Sequence, residues 1–204
     1  QVLLDELKVD RIEVASARVS DGEFRSAKKI LDWANEKGYG YAVEILGFVD
    51  GDISLKWIKD VGGQVINLLC KGSKKHCEKQ LKKTSKEHLD DISKTVHFAT
   101  QMGIKVNVYL EDWSNGMKDS PEFVHEMVTG LSQMKVHRIM LPDTLGMLNH
   151  IQTKAYCAEM TSSFPGLKFD FHAHNDYDLS VANVYSALEC GFTGVHTTLN
   201  GLGE

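Results

Sequence analysis

The chain has 204 residues, 42% hydrophobic and 25% charged, with a formal net charge of −5. That is the size and composition of a single globular domain able to bury a sizeable core. No apolar run approaches the ~20 residues of a membrane span, and the acidic balance gives no basic footprint for nucleic acid, so neither a membrane nor a nucleic-acid partner is expected.

In chain order, Gln1 to Leu7 reads as the end of a helix. Val9 to Ala17 is a strand, and Glu23 to Lys37 is a helix whose Phe24, Ala27, Ile30, Leu31 and Ala34 fall at helical spacing before Gly38 stops it. The alternation then repeats: a strand over Tyr41 to Val49, a helix over Ser54 to Val61, a strand over Val65 to Leu69, and a helix over Lys86 to Met102. The lysines from Lys71 to Lys86 are interleaved with Glu78 and Glu87 and read as a solvated helix face. Strands at Lys105 to Leu110 and Arg138 to Leu141 flank a helix over Pro121 to Met134. A helix from about Asn149 to Phe164, a strand from Lys168, a helix through Val181 to Cys190 and a strand over Gly194 to Leu199 follow. Trp57 and Trp113 are expected to pack in the core or a loop.

Strands alternating with helices imply a parallel sheet with right-handed crossovers. Strands buried on both faces of an open sheet read as continuous apolar runs. Here one face carries Glu13; Glu44 and Leu46; Asn67 and Leu69; Asn107, Tyr109 and Glu111; and Asp170, His172 and His174. These polar groups suit strands arranged around a common centre, and VASARVSDGE after the first strand lacks a Gly-rich dinucleotide fingerprint. The expected fold class is α/β, a partial TIM (β/α)₈ barrel with its site at the strand C-terminal ends. Residues 1–204 are read as a catalytic barrel fragment holding the second to the eighth strand, with the first strand and the C-terminal end missing.

The segment FDFHAHNDYD, Phe169 to Asp178, carries the sharpest chemical signal. On a strand, Asp170, His172 and His174 point one way and Phe169, Phe171 and Ala173 the other. Two imidazoles two residues apart on one face can reach one metal ion, and His is the commonest metal ligand. The cysteines Cys70, Cys77, Cys157 and Cys190 form no C-x-x-C pair, which fits reduced thiols and a cytoplasmic location.

HAHND, LPDTLG (Leu141 to Gly146) and NGLGE (Asn200 to Glu204) together resemble the DRE-TIM metallolyase family, which includes 2-isopropylmalate, homocitrate and citramalate synthases and 3-hydroxy-3-methylglutaryl-CoA lyase. RIEVASARVS, EILGFVDG and VYLEDWSNGM look closest to the (R)-citramalate synthase branch. The Asp-Arg-Glu motif behind the family's name is absent from this sequence. The lyases use a Cys where Gly201 to Glu204 has none, which favours the synthase side.

The resemblance implies a divalent metal cofactor, Mn²⁺, Mg²⁺ or Zn²⁺, held by His172 and His174. It implies acetyl-CoA and a small 2-oxo acid as substrates, with pyruvate giving (R)-citramalate on the way to isoleucine and leucine. The alternatives are a 2-isopropylmalate synthase using 2-oxoisovalerate, or an inactive barrel serving as a binding module. Glu111 is the candidate acid–base residue. Thr144 is the candidate donor to the 2-oxo acid carboxylate, and Leu46, Leu69 and Tyr109 are candidate walls around its small methyl group. A homodimer is expected.

Overall fold

The computed structural model describes residues 1–202; Gly203 and Glu204, the end of the NGLGE segment, lie outside the described residues. The described chain contains β1 (Ile12–Ser16), β2 (Val43–Phe48), β3 (Val65–Lys71), β4 (Lys105–Glu111), β5 (Val136–Asp143), β6 (Phe169–Ala173) and β7 (Gly194–Val195). They form one sheet in strict sequence order, β1 to β7. The helices are α1 (Val2–Asp5), α2 (Asp21–Glu36), α3 (Ile53–Asp60), α4 (Lys74–His76), α5 (Ser85–Met102), α6 (Trp113–Asp119), α7 (Pro121–Ser132), α8 (His150–Ser163) and α9 (Ser180–Glu189). Sequential parallel strands joined by helices make this a partial TIM barrel, as the alternation predicts.

The chain divides into two compact units, Gln1–Leu69 with Asp91–Asn107, and Cys70–Asp90 with the chain from Val108 onward. In the first unit, α2 starts where Ser20 Oγ accepts the Glu23 N–H and buries Ala27, Leu31 and Ala34. β1 pairs with β2 and β2 with β3 in parallel. Their polar positions converge as the alternation requires. Asn67 Nδ2 donates to Glu13 (2.6 Å) and Glu44 (2.9 Å), and Asn107 Nδ2 donates to the Asn67 side-chain oxygen (2.8 Å). Trp57 packs edge-on against Phe24.

In the second unit, β5, β6 and β7 pair in parallel, with Pro142 beside His172 and Asp170 beside Gly194. Phe169 stacks on Phe192, while Phe171 meets Phe192 and Trp113 edge-on. One face of β6 is therefore hydrocarbon core and the other carries the polar triplet. α7 opens on Pro121, where a missing N–H costs nothing, and α8 on an Asn149–Gln152 capping box.

Three expectations are corrected in detail. The first strand is shorter than Val9 to Ala17, because Lys8 adopts φ +56° and the Val9 N–H returns to the Leu3 carbonyl, closing α1. The lysine-rich stretch is not one helix face: α4 passes into a π-helical turn, Cys77–Leu81, that ends on Lys82 at φ +56°. The last strand stops at Val195 rather than Leu199, although the His196 N–H still reaches the Phe171 carbonyl.

Candidate metal and substrate site

His172 and His174 lie on the polar face of β6 and its end, each half-buried, with their Nε2 atoms 3.3 Å apart. With metal–nitrogen bonds of ~2.1 Å, that separation subtends about 100° at a shared ion, between octahedral and tetrahedral values. The pair therefore fits as two ligands of one divalent cation. No cluster of three or more His, Cys, Asp or Glu poised to hold an ion occurs among the described residues. Burial, reinforced by His196 and His174, pushes the His172 pKa down to about 3. Its imidazole is thus neutral near pH 7, with a ring lone pair available to a cation.

A second layer backs the pair. His196, just past β7, places Nδ1 3.1 Å from His172 Nδ1 and 3.0 Å from the Tyr109 hydroxyl. Its Nε2 lies 3.7 Å from Asp170 Oδ2, and Asp170 is paired with the buried Arg138 at 3.0 Å. A His172 tautomer protonated on Nδ1 donates to His196 and leaves Nε2 bare, the ring polarity that a ligating histidine needs. Tyr109 meets both His172 and His196 edge-on. Gly194 makes room for this layer, since a Cβ there would sit 2.3 Å from Asp170 Oδ1.

The third group sits where β3, β4 and β5 end. Lys71 Nζ donates to Glu111 Oε2 in a part-buried ion pair. The Gly72 N–H donates to the Glu111 carbonyl at 2.6 Å. Asp112 follows in the left-handed region (φ +66°, ψ 25°), fully buried. Its carboxylate accepts from Ser73 Oγ (2.6 Å) and Asn115 Nδ2 (2.7 Å), and His76 Nε2 lies 3.4 Å away. Its N–H donates to Thr144 Oγ1 at 2.9 Å. A cleft of about 500 Å³ opens here, lined among others by Ser73, Lys74, Asp112, Asn115 and Leu145. Thr144 is tied to the histidine strand through its neighbour: the His174 N–H approaches the Asp143 carbonyl at 3.4 Å.

A family model described as HMGL-like matches residues 2–204. The chain belongs to the HMGL-like family. It is 30% identical to a homocitrate synthase of Sulfolobus acidocaldarius over 98% of its own length and 42% of that protein's. It is 33% identical to one of Saccharolobus islandicus over 98% and 43% respectively. It thus spans about two-fifths of the length of these curated relatives. Among solved structures, hydroxymethylglutaryl-CoA lyase from Pseudomonas aeruginosa shares the fold, with a TM-score of 0.73 at 20% identity, over 96% of this chain and 66% of that one.

In this HMGL-like chain Tyr109, Glu111, Thr144, His172 and His174 all belong to the second unit; Tyr109 meets His172 edge-on, and Thr144 accepts from the N–H of Asp112, the residue after Glu111. Leu46 and Leu69 belong to the first unit, each half-buried near the C-terminal ends of β2 and β3. Sequence reasoning missed His196, Asp112 and Lys71. His196 shares strand parity with Gly194, the partner of Asp170, and that register was the signal that could have found it. Asp112 has the strand parity opposite to Glu111, but parity stops applying where the backbone turns left-handed. Lys71 was counted with the solvated lysines; unlike the exposed Lys74, Lys75 and Lys79, it turns to Glu111.

Proposed function

We propose that this chain is the catalytic barrel of a metal-dependent acyltransferase joining the acetyl group of acetyl-CoA to a 2-oxo acid. The observation that carries the reading is the His172–His174 pair, with Nε2 atoms 3.3 Å apart, in the same unit as Glu111 and Thr144. A divalent ion on these two nitrogens would act as a Lewis acid toward the keto oxygen. Thr144 donates its hydroxyl proton to the substrate carboxylate. Glu111 takes a proton from the thioester methyl group, whose carbon then bonds to the keto carbon as the keto π pair moves onto oxygen and is protonated there; water then hydrolyses the thioester, leaving a carboxylate and releasing CoA. The Lys71 ammonium holds the Glu111 carboxylate in place through this sequence. We place the protein as a homodimer in the cytoplasm.

Pyruvate, giving (R)-citramalate, is the substrate we favour, on the resemblance of RIEVASARVS, EILGFVDG and VYLEDWSNGM to the (R)-citramalate synthase branch. Homocitrate synthesis is the second reading, favoured by the relatives at 30% and 33% identity.

The test uses the full-length protein. CoA release is measured with pyruvate, 2-oxoisovalerate and 2-oxoglutarate in the presence of Mn²⁺, and bound metal is measured by mass spectrometry. Preference for pyruvate is expected, and preference for 2-oxoglutarate selects the homocitrate reading. The His172→Ala, His174→Ala double variant should lose its bound metal and its turnover together. A double variant that keeps both refutes the metal site, and a parent inactive with all three acids refutes the acyltransferase.

A further inference from the structure

We propose that Asp112 is the positioning residue for the 2-oxo acid, fixing the Thr144 hydroxyl in the orientation that donates to the substrate carboxylate. The proposal rests on the reading of Thr144 given above. Asp112 stands at the N-cap of α6, where an Asp side chain ordinarily accepts from the first helical N–H groups; no such bond is present. Its two carboxylate oxygens are instead taken by Asn115 Nδ2 at 2.7 Å and Ser73 Oγ at 2.6 Å, with 1% of the residue exposed. These two anchors hold the residue at φ +66°, and its N–H meets Thr144 Oγ1 at 2.9 Å.

A hydroxyl has one proton and two acceptor lone pairs. With an N–H occupying one lone pair, the Thr144 proton must turn away from Asp112, and it meets no acceptor among the described residues. An ionised 2-oxo acid carboxylate only accepts, so the pinned hydroxyl has the complementary polarity. A peptide turned the other way would present a carbonyl to Thr144 and draw the proton off the substrate. The carbonyl of the adjacent Glu111 is fixed by the Gly72 N–H at 2.6 Å, so acid–base residue and carboxylate donor are placed by one short stretch of backbone.

A double-mutant cycle tests this in the full-length protein. Asp112→Gly keeps access to positive φ and removes both anchors; Thr144→Val removes the hydroxyl at nearly constant shape. Each single variant should raise KM for the 2-oxo acid ~10-fold, the worth of one hydrogen bond, with KM for acetyl-CoA unchanged. The double variant should be no worse than Thr144→Val, since the group through which Asp112 acts is already gone. Should Asp112→Gly fail to fold, Asp112→Asn, which tolerates the same backbone, takes its place and the same non-additivity is expected. A Thr144→Val penalty that simply multiplies with the Asp112 penalty overturns the proposal alone. A Thr144→Val variant with parental KM overturns the reading of Thr144 and the proposal with it.

Discussion

Glu111 and Asp112 are adjacent carboxylates with opposite environments. Glu111 ends the regular strand, keeps strand parity, and pairs with Lys71 while remaining half-buried. Asp112 is enclosed, and its left-handed backbone costs about 1 kcal/mol, offset by the bonds from Ser73 and Asn115. A half-buried carboxylate is the one able to exchange a proton with a substrate, and the enclosed one holds geometry. Glu111→Gln keeps the shape and an oxygen for Lys71 but cannot take up a proton. Turnover should fall ~10²–10⁴-fold, with KM for both substrates near parental, in a CoA-release assay. Parental turnover would reassign Glu111 to orienting its neighbours. This residue was legible in the sequence because strand alternation has a period of two; Asp112 was not, because no pattern in the sequence marks where that period ends.

At the level of elements, the alternation of strands and helices and the inward polar face could be read directly, and the Asn67–Glu44–Asn107 bonds bear out the second. What escaped notice was α6, a short helix that buries Trp113, Ser114, Gly116 and Met117. Two glycines let it form where it does. A Cβ on Gly116 would lie 2.0 Å from the Gly72 carbonyl oxygen, and one on Gly72 would lie 2.3 Å from the Leu110 carbonyl oxygen. Close backbone approach of this kind depends on tertiary contact, which no local window contains. Replacing a helical Gly by Ala ordinarily gains up to ~1 kcal/mol. Gly116→Ala should instead destabilise, because the obstacle is backbone and cannot move aside. Gly130→Ala in α7 is the control: its Cβ meets the tip of the Leu89 side chain at 2.6 Å, which can rotate away. Urea denaturation midpoints should fall for the first variant and stay level or rise for the second. Equal shifts would mean that α6 does not approach the end of β3 as closely as described.

Over the whole chain, the partial barrel follows from a parallel, in-order sheet and is shared with distant lyases at 20% identity. No helix among the described residues is long and apolar enough to cross a membrane. The substrate is less legible than the fold, because it turns on a few side chains rather than on periodicity. The thiols offer a test of the packing that leaves catalysis aside. Cys70, Cys77 and Cys157 are buried, Cys190 is half-buried, and all four are free. Burial raises every one of these thiols above its ordinary pKa, Cys70 and Cys157 most strongly, so each carries less thiolate at pH 8 than a thiol in water. The thiolate is the reactive form, so labelling by a disulfide reagent should be slow and should quicken as the pH rises. Native protein at pH 8 should label at Cys190 only, and all four cysteines should react in denaturant. Rapid native modification of Cys70 or Cys157, mapped by peptide mass, would show that the core around β3 and α8 is not closed in solution.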